Sequence, residues 1–178
     1  ISVKDVRVYF SLWSYLTRSF LIRDIVVQSP TLSLGEGSRF KFKERGSKPS
    51  VVPRRIQIKG GSFSYKTHDK ELRLSPLEMR VLPSKMMDRF DITFSGNGGH
   101  VVFKEQEKKV NRFEGAVVVH PDGIDLTGIV ATLDKTDLKT EGVIKFSGKS
   151  LETTGLNVKM NVIFPVDEYL PLLPIARE

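Results

Sequence analysis

The stretch that decides the fold runs from Phe113 to Phe164. It opens with Phe113-Glu-Gly-Ala-Val117-Val-Val119. A Pro121-Asp122-Gly123 turn leads to Ile124-Asp-Leu126, and an Asp134-Lys135 turn leads to Leu138 through Phe146. A Gly148-Lys149-Ser150 turn then leads to Leu156 through Phe164. Four apolar/polar alternations separated by three turn signals predict a β-meander with one apolar face and one wet face. The meander holds no catalytic motif. The functional question is therefore what covers its apolar face.

Outward from the meander, the same grammar continues. Val6, Val8 and Phe10 alternate, as do Ile25 and Val27, then Leu32 and Leu34 beyond Pro30. Proline has no N–H to give a central ladder, so Pro30 marks an edge or a bulge. Ile56 and Ile58 precede a kink at Gly60-Gly61, and Phe63 and Tyr65 follow it. The segment from Thr67 to Lys70 turns the chain. Leu72 and Leu74 are out of phase with Leu77, Met79 and Val81 across Pro76, a slip that a β-bulge absorbs. Phe90, Ile92 and Phe94 form a further strand, Gly96-Asn97-Gly98-Gly99 reads as a turn, Val101 and Phe103 follow, and Lys104 to Lys109 reads as a charged loop. The connections are short, which predicts antiparallel pairing throughout.

Two stretches do not alternate. Leu12, Leu16 and Phe20 fall on one face of a short helix that Ser11 can cap. Residues 35–53 combine glycine, proline and charge and read as a loop within one domain spanning 1–178. At the far end Pro165 stops the last strand, and Val166 to Leu170 reads as one helical turn broken by Pro171.

Four glycines recur in the meander, Gly115, Gly128, Gly142 and Gly155, at intervals of 13, 14 and 13. At Gly128 the apolar phase changes, from Ile124 and Leu126 to Ile129, Ala131 and Leu133. Interior strand glycine weakens a strand unless a bend or a close approach requires it. The four glycines are expected to form a row where the sheet bends sharply.

Composition narrows the function. The chain has 178 residues, 39% hydrophobic and 28% charged, with no cysteine. Disulfides and thiolate metal sites are excluded. No run approaches the roughly 20 apolar residues that span a bilayer as a helix. The chain begins at Ile1 without a visible signal peptide, so a fragment or mature piece with an anchor upstream is expected. The net charge of +7 is uneven: residues 1–60 carry 12 lysines and arginines against 4 acids. Arg39, Lys41, Lys43, Arg45, Arg54 and Arg55 are the candidate anion-binding residues, for lipid headgroups or nucleic acid. The competing reading is a solvated loop and strand face.

No catalytic or metal site is expected. His68, His100 and His120 are isolated and lack ligand spacing. Asp125, Glu114 and Asp137 fall on the wet faces of strands. There is no nucleophile elbow and no phosphate-cradling glycine loop. No cofactor is called for.

The layout resembles the AsmA-like superfamily, most closely the amino-terminal portion of TamB-type translocation and assembly proteins. Ile1 to Val8, the Ser11 to Leu16 helix and Leu21 to Leu34 with its Pro30 carry the likeness. So do Ile56 to Phe63, Leu72 to Met79, Gly115 to Val119, Leu138 to Phe146 and the turn at Asp167 to Leu170. One departure is the basic run Arg39 to Arg45 where family members often have an Asn-Leu step. The resemblance implies an all-β, mainly antiparallel, strongly coiled sheet forming an apolar trough, with one short N-terminal helix and a C-terminal helical turn. It implies a bacterial envelope protein on the periplasmic side of the inner membrane. The implied partners are phospholipid acyl chains, outer-membrane protein strands and an outer-membrane assembly partner of the Omp85 type.

A trough for acyl chains needs a concave apolar surface, not a catalyst. The residues expected to line it are Val117, Val119, Ile124, Leu126, Leu138, Ile144, Phe146, Leu156, Val158, Met160, Val162 and Phe164. The same residues would equally serve a closed β core. Two further readings stay open: a compact β-domain that binds a polyanion through residues 39–59, and a structural spacer.

Overall fold

The computed structural model describes residues 2–11, 22–36, 52–103, 106–146 and 153–163. The expected helix at Leu12 to Phe20, most of the 35–53 loop, Phe164 and the expected helical turn at Val166 to Leu170 lie outside the described residues. So do Arg39, Lys41, Lys43 and Arg45.

The described chain is all β. Its strands are β1 (Asp5–Phe10), β2 (Ile22–Gln28), β3 (Thr31–Gly35), β4 (Arg55–Lys66), β5 (Lys70–Pro83), β6 (Phe90–Gly96), β7 (Gly99–Phe103), β8 (Gln106–His120), β9 (Gly123–Leu133), β10 (Thr136–Phe146) and β11 (Thr153–Ile163). All eleven belong to one coiled, half-barrel-like sheet ordered β1-β2-β4-β5-β6-β8-β9-β10-β11, with β3 beside β4 and β7 between β5 and β8. β1 and β11 are its two outer strands and do not pair with each other.

Alternation places the apolar residues on one face, and the hairpin turns at Pro121-Asp122 and Asp134-Lys135 fix the register of β8, β9 and β10. Three expectations are corrected. First, β2 and β3 run parallel to β4, not antiparallel. Residues 36–54 separate β3 from β4, enough chain to cross over and return in the same direction. Second, Gly96 to Gly99 does not reverse the chain. β6 and β7 follow each other along β5 and β8 as one interrupted strand, because both neighbours pair with each piece. The expected loop at Lys104 to Lys109 is likewise shorter, since Gln106 to Lys109 already pair with β7.

Interruptions of this kind recur across the sheet and form a crease. β2 gives way to β3 at Ser29-Pro30, β4 shifts register around Gly60, β5 shifts its partner at Ser75-Pro76, and β8 shifts around Asn111. Each extra residue would turn the rest of its strand over, and the bulge restores the original face. Ile58 and Phe63, Met79 and Leu74, and Val110 and Phe113 therefore share a side despite their sequence spacing. Backbone groups freed at the crease find partners across it. Ser29 N–H donates to Lys59 O at 2.8 Å, Ser62 N–H to Pro30 O at 2.8 Å and Ser75 N–H to Gly98 O at 3.1 Å. Gly60 N–H donates to Glu78 Oε1 at 2.8 Å, and Asn111 Nδ2 to Asp134 O at 2.6 Å. An unmet backbone group would otherwise oppose the fold.

A second bulge lies at Gly128, whose φ of 88° is in the left-handed region. β9 holds one residue more than β10 between the Ile129–Thr140 and Leu126–Gly142 pairs. Ile124 and Leu126 thus share a face with Ile129, Ala131 and Leu133. The Thr127 hydroxyl donates to Ala116 O at 3.0 Å and closes the gap on the β8 side. Gly115 lies against Ile129, beside this bulge, and Gly142 pairs with Leu126. Gly155 pairs with Lys145, whereas Gly142 pairs with Val158, so Gly155 sits three residues away from the other three along β11.

Candidate functional site

The apolar face is continuous from one edge of the sheet to the other. One transverse row reads Val8, Ile25, Ile56, Val81, Ile92, Val117, Leu126, Gly142 and Val158, each paired with the next across nine strands. A neighbouring row carries Phe90, Val119, Ile124, Ile144 and Leu156. On the other side Phe113 pairs with Ala131, Ala131 with Leu138, and Leu138 with Val162, while Thr140 pairs with Met160. Phe146 continues the parity of Ile144 at the end of β10. Eleven of the twelve candidate groove residues are described, and the register brings them to one side. The row shows what the meander alone did not: the surface extends through β1 to β6. Its signal was present in the alternation of Ile56, Val81 and Ile92. What the alternation lacked was the pairing order.

Among the described residues, only Val26, Val110 and Phe113 are buried hydrophobics. No second layer of described strands lies on the sheet, because all of them belong to it. The apolar residues are half-buried in the middle of the sheet and exposed at its margins, where Leu156 keeps 68% and Met160 59% of its surface. At the crease the face deepens into a hollow of about 430 Å³ whose lining includes Leu32, Ile58, Phe63, Leu77, Phe94 and Phe113. A hollow of that size and character suits an apolar ligand segment.

The opposite face is mostly polar, with Val26 buried on it. Arg7, Val26, Gln57, Arg80, Thr93 and Ala116 form one of its rows. Near the start of β2 and β4 the Asp24 carboxylate is 9% exposed and accepts from Arg55 Nε at 2.8 Å and Arg23 Nε at 3.0 Å. The Arg55 bond holds its pKa below the usual carboxylate range. Arg54 and Arg55, two of the candidate anion-binding residues, are thus placed together with Arg23, which sequence reading did not single out. No periodicity links Arg55 to an aspartate 31 residues earlier.

The remaining titratable groups form surface networks. Lys66, His100 and Arg73 surround Glu71 and lower its pKa, the Lys66 bond first. His120 contacts Asp122 Oδ1 at 2.6 Å and Asp125 Oδ1 at 3.3 Å, and Asp122 leads in raising the pKa of the imidazole. Among the described residues, no three His, Cys, Asp or Glu side chains gather in a metal-holding group, and no helix is long and apolar enough to cross a membrane. Comparison with protein-family models, with curated proteins and with solved structures gives no match.

Proposed function

We propose that this chain is a non-enzymatic groove module of the bacterial envelope, related to the AsmA-like superfamily, that holds phospholipid acyl chains along its apolar face. The observation that carries the reading is the nine-strand row from Val8 to Val158, apolar but for Gly142, with no described second layer to cover it. An exposed apolar surface of that extent marks an interaction site. Each methylene withdrawn from water onto it is stabilised by about 0.8 kcal/mol. The exposed outer strands β1 and β11 would also accept a client strand by edge pairing, which fits a role in outer-membrane protein assembly. The residues put forward for the groove act by shape and apolarity. None is assigned a chemical step.

Native mass spectrometry of the purified chain tests this reading. Phospholipid adducts are expected, and they should be lost on Val158→Asp, a change at a partly exposed position of an outer strand. A chain that carries no lipid and takes none up from short-chain phospholipid contradicts the proposal.

A further inference from the structure

The start of β2 and the start of β4 lie side by side, because the two strands run parallel and Asp24 pairs with Arg55. Arg54 N–H donates to Ile22 O at 3.1 Å and ties the two strand starts together. Around this point Arg23, Asp24, Arg54, Arg55, Arg80 and Leu82 line a hollow of about 260 Å³. The residues that line it carry four guanidiniums and one carboxylate, a net charge of +3, and two of the guanidiniums, those of Arg23 and Arg55, contact the Asp24 carboxylate.

The way the carboxylate is used matters. Both of its contacts are to Nε atoms, one from Arg55 and one from Arg23. Asp24 thereby orients two guanidiniums while engaging only one of the three nitrogens of each. Among the described residues, no acceptor engages the Nη groups of Arg23 or Arg55, and no carboxylate pairs with Arg54 or Arg80. Asp91, across the ladder from Leu82, is engaged by Arg89 instead. Glu78, on the same strand as Arg80, accepts from Gly60 N–H. Planar donors with unmet N–H groups, held around a small concavity with excess positive charge, match the tetrahedral oxygens of a phosphate group.

We infer that the hollow of Arg23, Arg54, Arg55 and Arg80 is a binding site for a phosphate group, with Asp24 as its positioning residue. Arg54 and Arg55 follow the candidate basic segment closely in sequence, so the charge of residues 39–48 precedes the site along the chain. Asp24, Arg55 and Arg80 occupy the polar face, while Arg23 and Arg54, which have the parity of Ile25 and Ile56, join the hollow at the strand starts.

Isothermal titration calorimetry of the full chain in phosphate-free buffer tests it, with inorganic phosphate and a soluble short-chain phosphatidic acid as separate probes. Binding of at least one probe is expected, weakened about tenfold in Arg80→Gln and in Arg54→Gln, with unchanged far-ultraviolet circular dichroism showing that both variants fold. Equal affinity for the two probes identifies a free phosphate anion as the ligand. Tighter lipid binding with the same arginine dependence identifies a headgroup. Val158→Asp separates this site from the groove, because it should leave the inorganic phosphate affinity unchanged. Failure of both probes to bind, or binding that Arg80→Gln and Arg54→Gln leave intact, overturns the inference.

Discussion

Phe113 and Val162 stand in one transverse row, joined through Ala131 and Leu138, yet their surroundings differ. Phe113 keeps 4% of its surface and Val162 keeps 46%. Both obey the same alternation on the same face. The difference comes from the crease, where bulged strands bend the sheet and bring Leu77, Phe63 and Phe94 around the Phe113 ring. β11, at the outer edge, has only β10 beside it among the described strands. Alternation assigns a side chain to a face, and curvature decides whether that face becomes a core. One sheet therefore supplies both its own anchor and an apolar surface that no described strand covers.

Truncating the two ends of the row should have unequal effects. Phe113→Ala should cost about 3–5 kcal/mol in a urea titration, as emptying a packed aromatic site does. Val162→Ala should cost under about 1 kcal/mol, because little of its contact is enclosed. Equal losses would show that the two ends of the row are packed alike.

A smaller effect is expected at Gly96. A Cβ built there meets the Phe113 ring and the Pro76 carbonyl, so a side chain must push the aromatic out of its place. Gly96→Val should destabilise by about 1–3 kcal/mol. It should also be non-additive with Phe113→Ala, since the ring it displaces would already be gone. Strict additivity in a double-mutant cycle would show that the crease does not depend on this approach.

The rim at Asp24 lies between the two extremes, nearly covered but held by charge. Its depressed pKa gives stability that is present above the ordinary carboxylate range, near pH 4, and lost as pH falls through the lower folded value. Asp24→Asn should therefore flatten part of the acid limb of a stability-versus-pH profile, by less than either crease substitution. His120 has the opposite sign. Its raised pKa gives stability below about pH 6.5 that fades as pH rises through the folded value. An acid limb unchanged by Asp24→Asn would show that Arg55 and Arg23 confer nothing through this carboxylate.

Much of the crease was legible as phase slips, at Pro30, Gly60-Gly61 and Pro76, because a bulge leaves a one-residue mark in the alternation. The hairpins of β8, β9 and β10 were legible from Pro121-Asp122-Gly123 and Asp134-Lys135, whose turn chemistry is local. Gly96 to Gly99 misled for the same reason. Gly-Asn-Gly-Gly has the chemistry of a turn, and only the neighbours β5 and β8 reveal that the chain runs straight through. The parallel pairing of β2 and β4 left no mark, since periodicity carries no direction. Without that pairing, Asp24 and Arg55 had no reason to meet. The apolar face was legible in its meander half and hidden in its other half, because a row across nine strands is a property of pairing order.

The central claim is that the apolar face, not its polar reverse, is the working surface. Photo-crosslinking with benzoyl-phenylalanine placed at Ile92 or at Thr93 tests it directly, since these adjacent positions on β6 point to opposite faces. With the purified chain and phospholipid vesicles, lipid adducts are expected at Ile92 and not at Thr93. Equal labelling of the two positions, or labelling at Thr93 alone, would contradict the account.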